Sequence, residues 1–313
     1  MIRFQDGEYA RLRENHTWLR SLGTPDPIGI ASMLEPAAGA IHFADRRRAS
    51  SLTGLPPGSC AVVPPGVPLP EGLRRCDQDD PKAAVGRLMI ALREIRRRSD
   101  FRQLAGAWIA ADTILPDTCR IEPGVVIMQD VVIGPGIEIG ANAVIRPGTR
   151  IGKDARIGSG AVLGADGYGY VYREGQALFQ LPHLGGVELG EACDIGPNSV
   201  ICSGTIDPTR IGARCKIDGS VYIGHNAALG ADCAVIAGAV VGGSARLGLG
   251  VAVNTAAMVK GKVMVGDRAV IGAGAVVMKD VAAGQTVMGD VAGEMRARLR
   301  RDAWLDQQAR QGG

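Results

Sequence analysis

Aliphatic residues recur at every sixth position over most of this chain. From Ile109 they fall at Leu115, Ile121, Ile127, Ile133, Ile139, Ile145, Ile151, Ile157 and Leu163 without a slip. The phase is lost after Gly164, returns at Leu189, Ile195 and Ile201, breaks again, and runs from Ile211 to Val277. Every lead residue of these twenty-five hexads is Ile, Leu or Val. An amphipathic helix spaces its apolar residues by three and four, and a half-buried strand spaces them by two. A period of six fits neither. It predicts a parallel β-helix, in which each hexad is one short flat side and three hexads make a coil. The lead side chain points inward and stacks on the lead residue one coil further on, while ladders between coils satisfy the backbone N–H and C=O groups. Gly often follows the lead, as at Gly134, Gly140, Gly212 and Gly224, where a neighbouring turn leaves no room for a Cβ. Twenty-five hexads give about eight coils, a prism on the order of 40 Å long.

Two interruptions and two flanks lie outside the pattern. Residues 164–188, GADGYGYVYREGQALFQLPHLGGVE, form a long excursion containing Tyr168, Tyr170 and Tyr172. Long loops on a rigid scaffold usually carry function. A second excursion, around Thr205 to Arg210, adds four residues. Residues 1–104 lack hexads. Short stretches such as GAIHFA and CAVVPP, followed by KAAVGRLMIALREIRRR with Leu88, Ala91, Leu92 and Ile95 on one helical face, predict a small α/β domain. The expected organisation is therefore mainly β: an α/β nucleotide-binding domain over 1–104, a β-helix over 105–290 and a basic helix over 291–313. That last helix carries Arg296, Arg298, Arg300, Arg301 and Arg310. It reads either as a solvated helix resting Met295, Leu299 and Trp304 on the prism or as a docking surface for an acidic carrier protein.

Composition agrees with a narrow, repetitive core. Aromatic residues are 4% of the chain against 46% hydrophobic residues, and 45 residues are Gly. A net charge of +3 points away from nucleic acid and from membrane surfaces. Seven scattered cysteines without a CxxC, and only four histidines, speak against a zinc site and for free thiols in a reducing compartment. The polar N-terminal stretch MIRFQDGEYARLRENHTW does not read as a signal peptide, and no apolar run approaches the roughly 18 residues of a membrane span. These features lead to an expected cytoplasmic location and no bound metal.

One hexad is chemically different. In IDGSVYIGHNAALG (217–230), His225 stands third in its hexad, off the inward stripe and facing outward. A histidine there can act as a general base, and spacing alone equally allows a surface or subunit-contact histidine. Eighteen residues on, at the same edge, is Gly243, whose N–H can stabilise an oxyanion; a plain tight corner is the alternative. Asp166, Gly167, Tyr168, Gly169 and His183 are candidates for lining a sugar and diphosphate site, His183 being also a rival base. Lys262 is a candidate phosphate contact or a plain surface lysine. No Walker loop, GxSxG elbow or HExxH motif is present.

The segments GADGYGY (164–170), LPHLGGVELG (181–190), KIDGSVYIGHNAALG (216–230) and GIASMLEPAAGAIHFA (29–44) resemble the UDP-3-O-acylglucosamine N-acyltransferases of lipid A and lipopolysaccharide biosynthesis. The resemblance extends over almost the whole chain. It implies a left-handed coil and a homotrimer with active sites in clefts between prisms. It also implies transfer of an acyl group from an acyl carrier protein or coenzyme A thioester to the amine of a UDP-linked sugar, with no permanently bound cofactor. By the same resemblance His225 and Asn226 are the catalytic pair, Asp218 matches an acidic residue seven positions upstream, Gly243 is the oxyanion donor, and Phe43 stacks on uracil; Asp218 can orient the ring or hold the amine, or be a solvated turn aspartate. The chain departs from the family pattern at Arg46, Ala49, Lys262 and Cys202-Ser203-Gly204, which leaves base, sugar and acyl length open. Two further readings therefore stand: an acetyl-coenzyme A-dependent N-acetyltransferase for a deoxyamino sugar of a surface polysaccharide, and a non-catalytic β-helix that binds nucleotide-sugars.

Overall fold

The structure, a computed structural model, describes residues 1–97, 100–171 and 179–289, together with 295, 296, 300, 304, 307 and 308. The hexads form the triangular prism of a left-handed parallel β-helix with three sheet faces. Each hexad contributes a strand of two to four residues that pairs in parallel with the strand one coil away. Val144 and Ile145, for example, pair with Val162 and Leu163. Both excursions are absorbed without loss of register: Ile151 pairs across the first with Leu189, and Leu189 across the second with Ile211.

The lead residues are buried, apart from Leu115 and Ile121 in the first coil, which are half-buried, and so is a second row two positions before them. Ala143, Ala155, Ala161, Cys193, Cys215, Ala227, Cys233, Ala239, Ala245 and Ala257 are all within the prism core. Small side chains here let three faces meet around a thin axis, which explains why the core needs almost no aromatics. All seven cysteines are free. The corners turn three residues after each lead, where φ is positive. Gly, Asn and Asp dominate there, including Gly124, Asn142, Asp154, Asn198, Asn226 and Gly238, because these residues tolerate left-handed backbone.

The three faces differ in chemistry. The charged face presents Arg120, Glu138, Arg156, Asp194 and Lys216 outward. The mixed face presents Val132, Arg150, Glu188, Arg210, Ala228, Arg246 and Met264. The apolar face presents Trp108, Val126, Val144, Val162, Val200, Tyr222, Val240, Met258 and Val276 in one unbroken row.

The N-terminal unit is a five-stranded sheet of Ile2–Arg3, Gly29–Ile30, Ile41–Phe43, Cys60–Val63 and Arg74–Asp77, with the first pair antiparallel and the rest parallel. The helix Pro81–Arg96 starts where Asp80 accepts a hydrogen bond from Ala83 N–H at 2.8 Å with Pro81 in the first turn. Val85, Leu88, Met89 and Leu92 are buried on one side of it, while Ala91 and Ile95 lie at the stripe's edge. The position expected to divide the domains, between Leu104 and Ala105, falls in the turn of a hairpin. Phe101–Leu104 already pairs with Ala107–Ala110 as the outermost strand of the apolar face's sheet.

The first excursion joins the two units. Tyr170–Val171 and Phe179–Gln180 form an antiparallel pair, and Val171, Leu181 and Ile206 belong to the N-terminal core. A Cβ on Gly86 of the helix would come within 2.9 Å of Leu181, so that glycine permits the close contact. Tyr172 lies outside the described residues. Of the basic helix expected over 291–313, Met295, Arg296, Arg300, Trp304, Gln307 and Gln308 are helical and exposed; Arg298, Leu299, Arg301 and Arg310 lie outside the described residues. Met295 and Trp304 are 70% and 58% exposed, so they do not pack on the prism within one chain.

Candidate active site

The edge between the apolar and mixed faces gathers most of the candidate residues. His225 follows the strand Tyr222–Ile223 and is half-buried. Its Nδ1 is 3.1 Å from Asn226 Oδ1. The orientation of that amide follows from its other partners. Oδ1 accepts from Thr205 N at 3.1 Å and Thr205 Oγ1 at 3.0 Å, while Nδ2 donates to Asp207 O at 2.9 Å. Asn226 Oδ1 is therefore an acceptor, so Nδ1 of His225 carries the proton and Nε2 keeps its lone pair. The short second excursion, through Thr205 and Asp207, thus sets the tautomer of the histidine.

Nε2 lies over Gly243, where a Cβ would approach it to 2.8 Å. Ser244 N donates to His225 O at 2.8 Å and Lys262 N to Gly243 O at 3.1 Å, whereas Gly243 N–H has no backbone acceptor among the described residues. A lone pair and an uncommitted N–H side by side are what amide formation from a thioester requires.

The first excursion closes the other side of the imidazole. A Cβ on Gly167 would meet His225 Cβ and Cδ2, each at 2.9 Å, and His183 Nε2 at 3.1 Å; one on Gly169 would meet His183 Cε1 at 2.5 Å. The DGYG loop is therefore shaped around two rings, whose centroids are 5.0 Å apart. His183 is buried, and neither ring nitrogen makes a well-formed hydrogen bond, the Leu181 carbonyl giving only a weak favourable contact. Burial first, and then the neighbouring His225, push its pKa down to about 4, so the ring is neutral above that pH. Its backbone is fixed at both ends. His183 N donates to Asp166 Oδ1 at 3.1 Å and its carbonyl accepts from Ser203 Oγ at 3.1 Å. Asp166 also pairs with Arg146 at 3.3 Å and Arg93 at 3.8 Å. Tyr168 stands on this loop with its ring 80% exposed.

Two hollows flank this centre. Toward the C-terminal coils, His225, Gly243, Lys260, Lys262, Met278 and Lys279 line an open trough of about 660 Å³. Toward the N-terminal coils, His183 and Asp166 line a cavity of about 580 Å³ that reaches the N-terminal unit.

Two of the sequence candidates stand apart. Phe43 is half-buried against the N-terminal core and does not line that cavity. Arg46 donates to Pro65 O at 2.8 Å, and Ala49 packs on a separate small core. Asp218 lies on the other edge of the apolar face, exposed, accepting from Gly219 N at 2.7 Å and Ala237 N at 3.2 Å. It does not touch His225 within one chain. Sequence marks Ser203 only as a departure from the family pattern and Thr205 only as the start of an excursion, without a role for either, and Arg146 looks like any outward hexad residue.

Residues 112–147 and 130–165 match the family described as bacterial transferase hexapeptide (six repeats). A UDP-3-O-acylglucosamine N-acyltransferase of Dechloromonas aromatica is 40% identical over 65 residues, which is 21% of this chain and 18% of that protein. One from Methylobacillus flagellatus is 44% identical over 64 residues, 20% of this chain and 18% of that protein. The matched segments thus span less than a fifth of the length of these relatives. Among solved structures, a UDP-N-acetylglucosamine acyltransferase from Campylobacter jejuni superposes with a TM-score of 0.54 at 26% identity, covering 59% of this chain and 70% of that one.

Proposed function

We propose that this chain, whose residues 112–165 match the hexapeptide-repeat transferase family, is an N-acyltransferase acting on a UDP-linked amino sugar. The observation that carries the reading is the arrangement at His225: a tautomer fixed by Asn226, with Nε2 set against the uncommitted N–H of Gly243. The acceptor amine attacks the thioester carbonyl, and Nε2 of His225 takes the proton that the nitrogen loses. Gly243 N–H donates to the oxyanion that forms. Collapse expels the thiolate, which recovers the proton from the imidazolium, leaving an amide and a free thiol. The trough beyond His225, with Lys260, Lys262 and Lys279, suits a donor whose pantetheine arm carries phosphate, from an acyl carrier protein or coenzyme A. The acetyl-coenzyme A reading stays the second choice. Its support is the region around Phe43, where Arg46 and Ala49 do not build a stacking site.

A homotrimer completes the site in this proposal. The apolar row from Trp108 to Val276 is too long and continuous to face water without cost. Three parallel prisms that turn this face toward a common axis bury it symmetrically. In that arrangement each apolar face ends where the next begins. Asp218 of the partner subunit then comes to the His225 edge at the same height, since both belong to one coil. There it can orient the imidazole or hold the ammonium.

The test is His225→Ala, assayed by mass spectrometry of the amide product with long-chain acyl carrier protein and with acetyl-coenzyme A. Turnover should fall by roughly 10²–10⁴ with the thermal melt unchanged. Near-normal turnover would remove His225 from the chemistry. Absence of any amide product from the wild-type chain across both donors would favour a binding protein instead.

A further inference from the structure

The cavity on the N-terminal side of His183 is lined by an unusual density of guanidinium groups: Arg3, Arg93, Arg96, Arg146, Arg150 and Arg210. Some are already neutralised. Arg96 is held by Glu8 at 2.9 Å, and Arg210 lies between Glu35 and Glu188. The others are not. Arg93 and Arg146 share the single carboxylate of Asp166, and neither Arg3 nor Arg150 has an ion pair among the described residues. Asp130 also lines the cavity without an ion pair among the described residues, and Arg210 faces two carboxylates, so the six arginines exceed the four lining carboxylates Glu35, Asp130, Asp166 and Glu188 by a modest margin.

The same cavity collects poorly partnered polar atoms. Gln129 and His183 are each 6% exposed and both line it. Gln129 Oε1, Arg146 Nε and both ring nitrogens of His183 are buried without a well-formed hydrogen bond. These atoms are closed off from solvent and Gln129 Oε1 is an acceptor, so it is the excess of guanidinium charge, and not the unmet atoms, that suits an anionic occupant. Position adds the rest: the cavity ends at His183, whose ring lies against that of His225.

We propose that this cavity seats the acceptor, its diphosphate between Arg146, Arg150, Arg93 and Arg3 and its sugar hydrogen-bonded by His183 beside His225. The inference rests on the acyltransferase reading for the identity of the occupant, and it moves the anchor of the nucleotide from the surroundings of Phe43 to the seam between N-terminal unit and prism. A neutral imidazole suits the inner position, since it can donate to one sugar hydroxyl and accept from another. His183 is then a positioning residue, acting before His225 does.

Equilibrium titration of the full chain with UDP, inorganic pyrophosphate and UDP-N-acetylglucosamine, without any thioester, tests this separately from turnover. UDP and pyrophosphate should both bind, more weakly as salt rises. Arg150→Gln and Arg3→Gln should each weaken both by about tenfold, while Arg156→Gln on the charged face should leave both unchanged. His183→Ala should weaken UDP-N-acetylglucosamine by about tenfold and spare UDP; His183→Gln, which keeps a donor and an acceptor, should restore most of that loss. Thermal melts identify any variant that fails to fold. UDP binding indifferent to Arg150 and Arg3, or no binding of any of the three, would overturn the site. An equal loss for UDP and UDP-N-acetylglucosamine in His183→Ala would remove the sugar contact. A chain that binds UDP through Arg150 and makes no amide refutes the acyl transfer and leaves the cavity assignment standing.

Discussion

His42 and His183 are both buried histidines, and the contrast between them separates structure from function. His42 has Nδ1 3.2 Å from Ser32 O and Nε2 3.1 Å from Ala37 O, and it joins loop to sheet. His183 has no well-formed hydrogen bond at either nitrogen. The fold accepts a destabilised residue there, and acid should reveal it. Its pKa, held at about 4 by burial and by His225 against an ordinary 6.5, lies below that of the unfolded chain. The unfolded chain therefore binds more protons across that window, and stability falls as pH drops through it. Asp166 and the Leu181 backbone carbonyl, which favour the protonated ring, only partly offset this. Replacing His183 with Gln should flatten the acid limb between about pH 6.5 and 4, by at most about 3 kcal/mol. Denaturant midpoints at pH 7 and pH 4.5 measure it. An acid limb equal to wild type would mean the ring is solvated or protonated in the native state. Sequence offered His183 as a substrate-binding candidate and as a rival base. What makes it distinctive is burial without a well-formed hydrogen bond, which no local pattern encodes.

At the scale of the element, the repeat was legible because one periodicity governs inward direction, pairing register and corner chemistry together. A lead residue every six positions fixed the faces before any contact was known. The corner rule was equally present, in the Gly, Asn and Asp three residues after the leads, and so was the small-residue row two before them. Both sets have their own physical reasons and respond to substitution differently. Gly212 has ordinary backbone, but an added Cβ would stand 2.5 Å from Ala231 N and Gly230 C, main-chain atoms that cannot move without breaking the ladder. Gly238 has φ near +70° and open space around it. Gly212→Ala should therefore cost about 1–3 kcal/mol, in the range of overpacked cores. Gly238→Asn should be nearly neutral, because Asn already occupies equivalent corners at 142 and 198. Paired thermal melts decide the matter; a more damaging change at Gly238 would show that left-handed strain, not coil-to-coil clearance, limits the prism.

For the whole molecule, the sequence could place His225 and Asp218 seven residues apart but not on which edges. The prism puts them at opposite ends of one apolar face. The cavity was likewise invisible, because its walls come from residues 3, 93, 146, 150 and 210, joined only by docking of the N-terminal unit. The proposed three-fold assembly turns the separation of His225 and Asp218 into a prediction. If each site takes His225 from one chain and Asp218 from the next, then His225→Ala and Asp218→Ala chains, inactive alone, should complement each other when co-refolded. Any mixed trimer contains one junction where an intact His225 faces an intact Asp218, so a random mixture should recover up to roughly a quarter of wild-type turnover. Charge in the apolar row, as Val240→Lys, should dissociate the trimer by light scattering and remove complementation with it. Recovery at the background of either single variant would instead place both residues in one chain's site, or leave Asp218 with nothing beyond its bonds to Gly219 and Ala237.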